Sequence, residues 1–447
     1  MTKRLVTPLF PFASIDAAPS PMRRRALTSL GGLAVMASGC GGSGGTGDLA
    51  GVGSGGTGAA FGFGVISGFG SIIVNGIKYE DDTASVTDDL GNPRGRSELG
   101  LGMVVEIRGS ADESTGLGKA TAVRIQTELK GLVTSVTPNP TTPGTGEVLV
   151  LGTTVRATST TVWQNESGIS GLSANQAVEV WGFADRSTNT ITATRIEIKA
   201  ATDENFNRLR GLVTELTPGV SLRIGGQPGS GGQLFALAGA AVASGVSVGT
   251  LVKVLYTGSG NNAAATKIEL ESSSVPANDT RVRAEGRISQ YASKSSFKVE
   301  GLSVDASSAS FSEGVESQLA NGARVRVEGQ MVGGKIKAAI VRFRDDSSGS
   351  SGPSGSGNSN SGSSNSGNST SDDSYGDEVK GVIVRFAGKE SFTVKDSVNR
   401  EFNFDGSTAT GKDGGPLPVL GNGTAVQVKF TIAGPGPLKA TQIRLDT

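Results

Sequence analysis

The chain has 447 residues, room for several domains, with 68 Gly, 16 Pro, 22 aromatic residues and no His. With no His and one Cys it has no Ser-His or Cys-His nucleophile pair, no imidazole acid or base, no internal disulfide and no His- or Cys-ligated metal, and no cofactor or metal is expected. Lys+Arg and Asp+Glu balance at 41 each, no basic block is available to neutralise phosphates, and nucleic acid is set aside as a partner.

The N-terminal stretch carries an export pattern. From Met22 it reads MRRRALTSLGGLAVMASGC: three arginines, a short apolar run too brief to span a membrane, and small residues ending at Cys40. This resembles a bacterial lipoprotein signal peptide. The resemblance makes residues 1–39 the removed leader, with Met22 an alternative start, and Cys40 the acylated first residue of the mature chain. Acylation would attach that chain to a membrane, stably if two or more acyl chains are added. Sec and twin-arginine export both fit, the latter through Arg24-Arg25. Removal of the leader leaves 36 basic against 40 acidic residues. Residues 40–60 continue as a Gly-rich tether. Because Gly41 rather than Asp follows the cysteine, the comparison with sorted lipoproteins implies the outer membrane of a bacterial cell envelope, facing the periplasm or the surface.

Beyond the tether, three signatures recur in the same order. The first is Gly followed within two residues by Val or Ile: Gly64, Gly131, Gly211, Gly286 and Gly381. The second is an alternating strand closed by Gly or an aromatic residue: Val105–Gly109, Val178–Gly182, Val252–Tyr256, Val325–Gly329 and Val426–Phe430. The third reads ATAVRI, ITATRI, AAATKI, AAIVRF and ATQIRL, with basic residues Arg124, Arg195, Lys267, Arg342 and Arg444 at separations of 71, 72, 75 and 102. The last gap is long because a 32-residue Ser/Gly/Asn tract, 347–378, is inserted in it; without the tract it becomes 70. Such a tract cannot bury enough apolar surface to fold and is expected to be a disordered linker with an r.m.s. span of roughly 30 Å. Its acidic end, Asp372 to Glu378, is a solvated run more readily than a calcium site.

The expected fold class is all-β: a tandem array of five small OB-like β-barrels at 61–127, 128–200, 207–272, 280–346 and 379–447, with a disordered leader and tether and one linker. A β-sandwich is the alternative. With the leader, the tether and the recurring strands, the stretch GVISGFGSIIVNGIKYE (64–80) resembles a family of exported bacterial lipoproteins built from a repeated domain of unknown function. That resemblance implies a small β-barrel and an envelope location, and supplies no catalytic residues.

Candidate chemistry is sparse. Gly406–Lys412 has the spacing of a phosphate loop, but Asp413 stands where Ser or Thr would hold magnesium and Gly414-Gly415-Pro416 follows where a helix must begin. Ser295 and Lys298 have a Ser-x-x-Lys spacing within an alternating strand, where residues three apart face opposite ways. The basic residues of the third signature point away from the barrel interior, as an ordinary solvated face or an anion-binding stripe. Both tryptophans, Trp163 and Trp181, fall in the second repeat. Trp181 alternates with inward Val178 and Val180, so it is expected to point outward, either onto a ligand such as a sugar ring or, the favoured reading, against a neighbouring repeat. The expected function is a non-catalytic envelope lipoprotein whose repeats bind envelope proteins or polysaccharide. The alternative is a carboxylate-dependent polysaccharide hydrolase using Asp81-Asp82 or Asp88-Asp89.

Overall fold

The computed structural model describes residues 58–165, 168–200, 207–271, 275–346, 377–433 and 436–446; the leader, Cys40 and most of the tether and linker lie outside the described residues. Among the described residues every long element is a strand, and helix is confined to short 3₁₀ turns.

The first repeat contains β1 (Gly58–Gly68), β2 (Ile72–Val74), β3 (Ile77–Glu80), β4 (Ser85–Thr87), β5 (Val104–Asp112) and β6 (Leu117–Ile125). β1 pairs antiparallel with β2 and β5, β2 with β3 and β5 with β6, and β3 and β4 run parallel to β6, which closes the circuit. The second repeat follows the same order with β7 (Leu129–Pro138), β8 (Gly146–Val150), β9 (Thr153–Gln164), β10 (Ala177–Asp185) and β11 (Thr190–Lys199). So does the third, with β12 (Arg208–Thr217), β13 (Ser221–Ile224), β14 (Gln233–Ala236), β15 (Ala241–Val242), β16 (Leu251–Thr257) and β17 (Ala264–Leu270). The fourth uses β18 (Arg281–Ser293), β19 (Ser296–Val299), β20 (Leu302–Asp305), β21 (Ser310–Ser312), β22 (Arg324–Val332) and β23 (Lys335–Phe343). In the fifth, β24 (Glu378–Phe386), β25 (Phe392–Lys395), β26 (Glu401–Asp405), β27 (Ala425–Thr431) and β28 (Leu438–Leu445) form a closed barrel. The protein is thus all-β and built of several small barrels. β1 begins inside the stretch read from composition as tether, and β24 begins on the last residue of the stretch read as linker.

The recurring signatures have steric causes. A Cβ on Gly64, Gly131, Gly211, Gly286 or Gly381 would lie within 3.0 Å of Asn75, Leu151, Ile224, Glu300 or the Lys395 carbonyl. Each of those residues lies at the end of the second strand or in the turn that follows it. The first strand must therefore lack a side chain where that hairpin crosses it. In the second signature, the Gly marks a β-bulge: register shifts at Arg108/Gly109, Trp181/Gly182 and Glu328/Gly329, and a Cβ there would strike the partner strand's carbonyl. The third and fifth repeats bulge at the same place with Tyr256 and Phe430, whose buried rings pack on Phe235 and Phe404.

The repeats do not hang as separate beads. β1 pairs in parallel with β18, from Ala60↔Arg281 to Phe63↔Ala284, which merges the first and fourth repeats into one sheet. β7 pairs antiparallel with β12 and merges the second and third. One apolar cluster runs through the first, fourth and fifth repeats and takes in Trp181 and Phe183 of the second; another fills the second and third.

Candidate functional site

The outer faces of the first strands are covered by other strands and loops instead of water. Lys130 on β7, Arg208 and Arg210 on β12, and Glu285 on β18 alternate with core residues such as Leu129, Leu209 and Ala284, and all are almost fully buried. Burial of this kind is tolerated only where each charge is matched. Arg208 lies 2.6 Å from Asp89 of the first repeat and 3.5 Å from Glu179 of the second. Lys253 lies 3.1 Å from Asp89 and 3.4 Å from Glu271. Arg210 lies 2.5 Å from Glu128, 3.1 Å from Glu300 and 3.7 Å from Glu271, so one guanidinium ties together carboxylates of three repeats. Burial opposes its charge, but the three carboxylates outweigh burial and hold its pKa above the ordinary arginine value. Lys130 shows the reverse balance: burial outweighs its partner Glu179, at 3.0 Å, and lowers its pKa.

This junction opens into a cleft of about 480 Å³ between the second, third and fourth repeats, lined among others by Arg186, Glu271, Arg287, Lys298, Glu300 and Asn321. Arg186 is fixed by Glu128 at 2.6 Å. Arg287 reaches Thr192 Oγ1 at 2.8 Å and the Gly322 carbonyl at 2.6 Å. Lys298, on β19, has no ion-pair partner for its amine among the described residues, so it is the cation on this wall left for an incoming group. Two of the carboxyls that line the same cleft have opposite tendencies. Glu300 is pushed up by burial, reinforced by Glu128, against the pull of Arg210; Glu271 is also buried, but Arg210 and Lys253 together hold it down.

The residues singled out in the sequence fall as follows. Trp181 does not point into solvent: it is 1% exposed, inside the apolar cluster of the first repeat, with the Lys199 amine 6.0 Å from its ring centroid. It projects away from the core of the second repeat, and a neighbouring repeat covers that side. Trp163 is half-buried against the core of the second repeat. Cys40 lies outside the described residues. Among the basic residues of the third signature, Lys267 is solvated as expected and Arg444 is partly so, with 54% and 37% of their side chains exposed. Arg195 is buried and donates to the Leu101 carbonyl at 2.8 Å, and Arg124 donates to the Asp89 carbonyl at 2.6 Å.

The four aspartates do not form a facing pair. Asp81 and Asp82 both bind Arg96, at 3.0 and 2.8 Å. Asp88 accepts from the Leu90 and Asn92 amides and from Arg94; these bonds overcome burial and lower its pKa to about 2. Asp89 belongs to the junction. The sequence reading missed Glu271 and Glu300 because they belong to different repeats, and neither stands in a carboxylate cluster. Among the described residues no group of three or more Asp, Glu, Cys or His side chains converges as a metal site.

No curated protein matches the chain. Among solved structures, "drosophila Unr CSD456" is similar at 13% identity, over 49% of this chain and 99% of that one, with a TM-score of 0.16. The family model described as "Domain of unknown function (DUF5666)" matches three stretches, residues 130–197, 285–341 and 380–444, so the second, fourth and fifth repeats are each similar to that one domain family.

Proposed function

We propose that the chain is a non-catalytic, lipid-anchored protein of the bacterial cell envelope, held through Cys40 in the outer membrane, whose five repeats are OB-like barrels that bind an envelope protein or polysaccharide. The charged leader, the small residues before Cys40 and the Gly-rich tether support the anchoring. The recurrence of one strand order, with the third strand parallel to the last, supports the OB-like assignment. The observation that carries binding is the cleft between repeats, with Lys298 unengaged on its wall, since sites of this size commonly form between domains. Labelled protein is expected to bind envelope polysaccharide or an envelope protein, and Lys298→Glu to weaken that binding. Binding to neither class, or binding unchanged by the charge reversal, sinks the reading. Mass spectrometry of the mature N-terminus tests the anchor by looking for acylated Cys40.

A carboxylate-dependent hydrolase retains one supporting observation: Glu300 and Glu271 line one cleft with pKa values pushed apart, the pattern of an acid and its ionised partner. Release of reducing ends from envelope polysaccharide, abolished by Glu300→Gln, would favour this reading over pure binding.

A further inference from the structure

The loop between β1 and β2, Gly68-Phe69-Gly70, makes contacts that its own barrel does not require. The Phe69 amide donates to the Glu378 carbonyl at 2.7 Å, and the Lys380 amide donates to the Phe69 carbonyl at 2.8 Å. Phe69 thereby pairs in parallel with Val379, adding one residue of strand to β24 of the fifth barrel. Its side chain is fully buried: the ring lies 5.6 Å from that of Phe402, and the Arg400 guanidinium sits 3.4 Å from its centroid. Arg400 is fixed over the ring by Asp396 at 2.6 Å and donates to the Arg96 and Leu99 carbonyls of the first repeat. The flanking glycines fit the same partner. A Cβ on Gly68 would strike the Glu378 backbone, and one on Gly70 would strike Lys380. Lys78 closes the contact with Glu378 at 3.2 Å.

Backbone pairing on a strand edge plus one aromatic side chain in a pocket is how a sheet captures an extended peptide. Cation–π contact with a buried guanidinium adds preference for an aromatic ring. We infer that the fifth barrel carries a peptide-binding site for a Gly-Phe-Gly segment, occupied in cis by residues 68–70 and open in trans to the same segment of a second copy of this chain. Site and segment belong to one chain, so binding in cis is intramolecular. Cis occupancy therefore dominates in dilute solution, and exchange between copies requires crowding.

The test uses the full chain with a specific protease site placed within residues 355–365. After cleavage, the fifth barrel is expected to co-elute with the remainder on gel filtration. Excess of a peptide with the sequence of residues 66–72 is expected to displace it, whereas the same peptide with Ala for Phe is not. In the uncut Phe69→Ala chain, where the cis ligand is lost, the wild-type peptide is expected to bind roughly tenfold or more tightly than it binds the parent chain. In trans, mixed copies bearing two tags are expected to co-purify at high concentration, and not when both carry Phe69→Ala. Separation of the cleaved parent fragments without peptide, or equal displacement by the Ala peptide, overturns the site. Displacement by peptide with no co-purification of tagged copies overturns the second copy as the trans occupant.

Discussion

Glu285 on β18 has a fully buried carboxylate, with Arg324 at 2.6 Å and Arg326 at 3.5 Å. Burial alone would raise its pKa, but these arginines and Arg344 outweigh it and bring the value down from 4.5 to about 2. The folded value lies below the unfolded one, so the stabilisation is present above pH 4.5 and is lost as pH falls toward 2. A shift of this size corresponds to about 3 kcal/mol. Glu285→Gln is expected to destabilise the protein at neutral pH by about 3–5 kcal/mol, because buried arginines lose their counter-charge. It should also flatten the acid limb, with urea unfolding at several pH values as the measurement; equal acid sensitivity in parent and variant would refute the assignment. Trp181→Ala should cost about 3–5 kcal/mol in the same assay while leaving polysaccharide binding unchanged, as expected of a side chain that supports an interface without touching a ligand.

At the scale of the strand, the glycines carry more structural information than the charges. Gly182 sits at a bulge where a side chain would meet the Thr192 carbonyl. Gly182→Val is expected to lower stability by about 1–3 kcal/mol through forced backbone movement, measured as a shift in denaturation midpoint. The repeat was legible in the sequence because these constraints act within one barrel: Gly64 and Asn75, or Gly286 and Glu300, lie within 15 residues of each other and return at each repeat. Alternation also told inside from outside correctly, as for Val252 and Val254 about Lys253. It could not tell whether outside means water, because that depends on which repeats share an edge. The pairing of β1 with β18 joins segments more than 200 residues apart through no motif that either carries alone. Hence Arg195, read as part of a solvated face, lies buried and donates to the Leu101 carbonyl of another repeat.

For the molecule as a whole, Asp89 is the strongest test of whether these barrels behave as one body. It belongs to the first repeat, but its partners Arg208 and Lys253 belong to the third, at 2.6 and 3.1 Å, and all three side chains are 3% exposed or less. The two repeats share no strand pairing, so this contact couples barrels that the sheets leave separate. Replacing the carboxylate removes the charge that the two buried cations share and leaves each with one longer contact, Arg208 to Glu179 at 3.5 Å and Lys253 to Glu271 at 3.4 Å, so Asp89→Asn is expected to cost about 3–5 kcal/mol. Removing an exposed partner such as Glu147, half-exposed beside Arg156 at 3.2 Å, should cost at most about 1 kcal/mol. The informative readout is where the loss appears. If the junction couples the repeats, Asp89→Asn raises hydrogen exchange together in β5 and β6 of the first repeat and in β12 and β16 of the third. If the barrels are independent, exchange rises only near residue 89. Asn cannot restore the charge, and because Arg208 and Lys253 stay buried between the repeats, added salt should rescue the variant little, just as it should affect the parent junction little.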